Sequence, residues 1–236
     1  MTTHLLDRSP IARVHWPASA RMQLAWLAGG LLAGFAVPFV FADMLELPRD
    51  IYYGIYIAFV AVFFVLWART TGQSLAAMVR RRWLLSVGLA VGASTLLAAI
   101  VLGKDATPRP DDVELVAAVL WRGVAYGLAD GLFLSAFPML AVFGVFEGTR
   151  LRKRLLGTIC VGLAALAASM VMTATYHAGY SEFRSEKVRQ PIAGDVIWSA
   201  PTLLTLNPIG APIAHAGMHV TAVLHSYETD LFLPPH

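Results

Sequence analysis

The chain is short of charge. Asp, Glu, Lys and Arg make up 14% of its 236 residues, while 57% are hydrophobic. Soluble domains run near ~25% charged, so a soluble globular domain is excluded and an integral membrane protein is implied. Cysteine is nearly missing. With Cys160 alone, no disulfide framework exists within one chain, and a thiol inside an apolar run is read as packing. Period-2 alternation is scarce as well, so long apolar runs favour a helical bundle over a barrel. No internal repeat, low-complexity tract or linker divides the sequence, and residues 1–236 are expected to form one all-α membrane domain.

A solvated basic surface is also lacking. Net charge is +3, and the basic residues gather in TGQSLAAMVRRRW and GTRLRKR at the ends of apolar spans. That excludes a nucleic-acid footprint and marks cytoplasmic anchors under the positive-inside rule. The amino end, residues 1–22, carries charge and two prolines before any apolar core, so it is expected to be a cytoplasmic extension and not a cleaved signal. His4, His15 and His236 are expected to be peripheral.

What is there is a succession of about seven helical segments. Residues 24–41 form the first span, with Gly29, Gly30 and Gly34 permitting close approach. Residues 51–67 form the second, whose Tyr52, Tyr53 and Tyr56 read as an interfacial aromatic belt. Residues 83–102 form the third. The apolar stretch 113–147 is too long for one upright span of ~20 residues, so it is expected to divide into an approach segment, Val113 to Tyr126, and a true span, Gly127 to Phe146, with Pro138 able to kink it. Residues 155–176 follow, ending at His177. A polar loop, GYSEFRSEKVRQPIAGD, then leads to a short apolar piece, residues 196–206. Asn207 and Pro208 break the chain there, so the next helix could begin partway through the membrane.

That last helix, in TLNPIGAPIAHAGMHVTAVLHSYE, carries the chemistry. His215 and His219 are four residues apart, about one turn, so both imidazoles leave one face. Ionisable residues in apolar helices are functional candidates by default, and imidazoles at this spacing are suited to hold zinc or another divalent transition metal. The glutamate that would make this a metalloprotease HExxH is missing. Asp130 lies roughly 25 Å along its helix from the basic end, and His177 roughly 34 Å along the next. The four residues Asp130, His177, His215 and His219 are therefore the candidate catalytic set and the candidate metal ligands, expected in the non-cytoplasmic half. Ion pairing of Asp130 with Arg122 is the competing reading, although the two lie about 80° apart on a regular helix. His225 borders the same face near water. Glu182, Arg184, Glu186, Lys187 and Arg189 read as a solvated loop.

These residues carry a resemblance. ADGLFL at 129–134, TATYH at 173–177 and HAGMH at 215–219 resemble the EExxxR, FxxxH and HxxxN motifs of the CPBP family, the CAAX-protease and bacteriocin-processing intramembrane enzymes. The likeness spans residues 113–228. Asp130, His177 and His215 stand at motif positions; Ala129, Leu134, Thr173 and His219 depart from the pattern. The resemblance implies a CPBP-like core and a water-activating, protease-like site acting on a membrane-protein or peptide substrate, in contact with the lipid bilayer. A metal-dependent hydrolase and a non-catalytic membrane scaffold remain as other readings.

Overall fold

A computed structural model describes residues 20–228 and 232–233. The amino-end expectation falls mainly on residues outside that range, as do His4, His15 and His236. Eight helices occupy the described residues: α1 Ala20–Met44, α2 Arg49–Thr70, α3 Leu75–Arg80, α4 Trp83–Leu102, α5 Asp112–Val145, α6 Leu155–Ala178, α7 Arg189–Thr205 and α8 Gly210–His225. Five of these (α1, α2, α4, α5 and α6) are long and apolar enough to cross a membrane. Their outward faces carry exposed Leu32, Val62, Leu84, Leu96, Leu155 and Leu163. In water such a surface would aggregate; in a bilayer it is the solvated face. The molecule is an all-helical, multi-pass membrane bundle.

Helix α5 is the hub. In its most apolar window 78% of residues are buried, against 17% to 44% in the other four spans. It is one continuous helix of 34 residues, so the expected division into Val113 to Tyr126 and Gly127 to Phe146 is incorrect. Two wide π turns, Val119–Ala125 and Gly131–Ala136, keep it continuous and flank the regular turn Tyr126–Asp130. Such turns are frequent at functional sites. Pro138 has no N–H to give the carbonyl of Leu134, and Ser169 Oγ of α6 lies within hydrogen-bond reach of that oxygen at 3.1 Å.

Several expectations are corrected. Tyr52, Tyr53 and Tyr56 are fully buried and form core, not an interfacial belt. Cys160 is exposed on α6 and contributes no packing. Helix α7 starts at Arg189, seven residues before the apolar piece begins, so Asp195 belongs to a helix and not to the polar loop. Arg184 of that loop is not merely solvated: it pairs with Asp43 at 2.9 Å and tethers the loop to the end of α1.

The start of α8 also differs. Leu206 takes a left-handed conformation, φ 55°, and ends α7. Asn207 then donates from Nδ2 to the carbonyls of Val79 and Arg81 and accepts the amide of Ile209 on Oδ1. These bonds fix the turn beside the basic end of α4, so α8 begins there and not partway through the bundle. It runs parallel to α4, with Gly210 against Ser86 and Gly217 against Ser94.

Candidate functional site

Three glycines on α5 set the site. Gly123, Gly127 and Gly131 repeat every four residues and face Val220, Ala216 and Pro212 of α8. A Cβ on Gly127 would lie 2.7 Å from Ala216 Cα and 3.1 Å from the His219 ring, and one on Gly131 2.7 Å from Pro212 Cα. Only bare backbone permits this approach. The contact brings Asp130 under the two histidines.

Asp130, His215 and His219 are each 2% exposed. Asp130 Oδ1 accepts a hydrogen bond from Tyr56 at 2.7 Å. Its Oδ2 faces His215 Nε2 at 3.4 Å and His219 Nε2 at 3.7 Å. The imidazoles stack nearly parallel, 7° apart with centroids at 4.8 Å. One ligand atom from each of the three residues lies within 4.8 Å of the others, a group able to hold a metal ion. The competing reading, a pairing of Asp130 with Arg122, is not what the structure shows. Arg122 instead makes a two-pronged pair with Asp50, at 2.6 and 2.8 Å, and stacks on Tyr227.

A buried carboxylate needs a positive partner. Among the described residues Asp130 contacts no Lys or Arg; its polar neighbours are Tyr56, His215 and His219, and an imidazolium or a metal there would supply the positive charge. The donor chemistry fits a divalent transition metal: two neutral imidazoles and one carboxylate are the ligand set of many zinc sites. Buried His219 Nε2 has no hydrogen-bond partner among the described residues, nor do the Nδ1 atoms of His215 and His219. A metal at the Nε2 atoms would satisfy the first.

His177 joins from α6. Its Nδ1 lies 2.8 Å from the Thr173 carbonyl, which can only accept, so Nδ1 carries the proton and the neutral ring keeps its lone pair on Nε2. It lines the same cavity as Asp130, His215 and His219 but stands outside their ligand group. That cavity, about 250 Å³, is walled by Leu97 and Ile100 of α4, Ile197 and Trp198 of α7 and Met218 of α8, with Lys104 and Gln190 also on its lining. Gly217, between His215 and His219, abuts Ser94 just past the middle of α4, and the cavity extends from there along Leu97 and Ile100 to Lys104, away from the basic end of that helix. His225 lies elsewhere, its Nε2 donating to the Lys104 carbonyl at 2.8 Å.

A tyrosine cluster escaped the sequence reading. Six of the seven tyrosines are fully or almost fully buried around the site. The hydroxyls of Tyr52, Tyr126, Tyr176 and Tyr180 lie 2.6 to 2.9 Å apart. Tyr126 meets the His219 ring edge-on at 5.1 Å. Buried phenols bond one another because hydrocarbon offers no other partner. The spacing of Tyr52 and Tyr56 on α2, and of Tyr176 on α6 with Tyr180 just past its end, four apart in each case, was the available signal.

Comparison with protein-family models, with curated proteins and with solved structures finds no match to this chain.

Proposed function

We propose that the protein is a membrane-embedded, metal-dependent hydrolase. One observation carries the reading: a carboxylate and two imidazoles converge, buried, at the wall of a cavity that can admit a substrate. Asp130, His215 and His219 supply three ligands, the number that leaves a coordination position open. Zinc or a similar ion held there supplies a Lewis acid that polarises a carbonyl and acidifies water.

The protein's own groups do the rest. Tyr56 fixes Asp130 Oδ1 and so turns Oδ2 toward the histidines. His177, held in one tautomer by Thr173, presents a basic Nε2 as proton acceptor from water. Trp198 stacks on His215 with centroids 4.2 Å apart, and apolar Leu97, Ile197 and Met218 limit bulk water. The motif likeness to CPBP enzymes, carried by Asp130, His177 and His215, supports a peptide bond as the scissile group.

The test is turnover of fluorogenic peptides and esters by zinc-loaded protein in lipid nanodiscs. The reading expects chelator-reversible hydrolysis, reduced at least ~100-fold by Asp130→Asn with the helical fold retained. Turnover indifferent to chelator and to that substitution, or none from fully metal-loaded protein, would reject it.

A further inference from the structure

A second buried carboxylate lies outside the histidine group. Asp195 of α7 is 0% exposed, and among the described residues no Lys, Arg or His side chain pairs with it. Its Oδ1 accepts from Ser135 of α5 at 2.9 Å, Ser169 of α6 at 2.9 Å, and Ser199 and Trp198 of α7 at 2.8 and 2.7 Å. Its Oδ2 is equally buried and has no partner among the described residues. Ser169 Oγ also lies 3.0 Å from Ser199 Oγ and 3.1 Å from the Leu134 carbonyl, which Pro138, four residues on, has no N–H to serve. Trp198 Nε1 is within 2.9 Å of Ser135 Oγ as well.

The hydrogens do not suffice for these oxygens. Three hydroxyls and one indole supply one hydrogen each. If all point at Oδ1, both the Leu134 carbonyl and Oδ2 go without. A proton on Oδ2 would cancel the charge, but that O–H would face no acceptor among the described residues. A cation resolves both shortages, because it takes lone pairs and neutralises the carboxylate.

We propose that this nest binds a sodium ion. The donors are one carboxylate, three hydroxyls and the Leu134 main-chain carbonyl, all oxygen and carrying a single negative charge. Oxygen donors select hard cations, and without imidazole or thiolate the nest disfavours transition metals. Calcium sites use 6–8 oxygen ligands, commonly with several carboxylates, and magnesium demands near-ideal octahedral geometry; neither suits a nest with one carboxylate. Main-chain carbonyls released from helical bonding are a recurrent alkali-ion ligand within membranes. The ion would also reach the histidine site, since Trp198 joins Asp195 to the face of the His215 ring. Sodium occupancy therefore sets one wall of the cavity.

The experiment uses the full chain in detergent, with thermal unfolding followed in sodium, lithium, potassium or choline chloride at one ionic strength. Sodium raises the midpoint saturably by several degrees over choline, by mass action on the folded state. Asp195→Asn, nearly isosteric and uncharged, abolishes the sodium dependence and unfolds in choline no earlier than the parent. Ser169→Ala shifts the sodium response to higher concentration. Equilibrium binding of radioactive sodium to the parent gives a second reading that needs no variant, with about one ion per chain expected. Identical midpoints in sodium and choline, or no saturable sodium binding, would overturn the proposal.

Discussion

The two buried carboxylates lie in one bundle, with Trp198 bonded to Asp195 and packed on the His215 ring beside Asp130, yet their surroundings differ in kind. Asp130 faces nitrogen: two imidazoles approach Oδ2, and a single phenol holds Oδ1. Asp195 faces mainly oxygen: three hydroxyls and the Trp198 indole N–H crowd Oδ1, and Oδ2 has no partner among the described residues. Burial penalises both charges alike, so the neighbours decide what neutralises each. Nitrogen donors with an adjoining cavity suit a transition metal and chemistry. Oxygen donors in a closed nest suit a hard ion and structure.

The largest expected effect separates the two directly. Asp130→Asn lowers zinc affinity by more than ~100-fold and leaves any sodium response intact, whereas Asp195→Asn does the reverse; zinc and sodium titrations of both variants check the crossing. Next is the glycine stripe. Gly127→Ala forces α8 away from α5, and despite the better helix propensity of alanine the overpacking destabilises the protein by about 1–3 kcal/mol while weakening metal binding. Thermal unfolding beside zinc titration measures both. Tyr56→Phe removes the bond to Asp130 Oδ1 and lowers metal affinity by about 10-fold, read by chelator competition. The smallest effect belongs to Arg122→Ala. Its partner Asp50 is half exposed, so stability changes by about 1 kcal/mol or less and metal content does not change. A metal loss there would revive a pairing of Arg122 with Asp130.

The sequence made one site legible and hid the other. Asp130, His215 and His219 stood out because ionisable groups are rare in apolar helices, and the four-residue histidine spacing fixed a common face. Asp195 was hidden because GYSEFRSEKVRQPIAGD reads as a polar loop, and composition does not reveal that its last seven residues wind into a helix. The register Asp195, Ser199, Thr202 did hold the clue, one polar face at helical spacing. Long spans were plain from hydropathy, but α5 exceeded the expected length because two wide turns and a buried environment allow 34 continuous residues. The buried tyrosines misled for a related reason: aromatics near span ends resemble a membrane belt, and only tertiary packing shows which way they face. Gly123, Gly127 and Gly131 were in plain view, yet what they pack against is a long-range fact.

The central claim is that Asp130, His215 and His219 hold a transition metal. The most direct measurement loads purified parent and a His215→Ala/His219→Ala variant with cobalt(II), removes excess ion, and records the visible absorption with elemental content. The account predicts about one cobalt per chain in the parent, with the intense d–d bands of a low-coordinate nitrogen and oxygen site, and neither feature in the variant. Equal and substoichiometric metal in both proteins, without those bands, would contradict it.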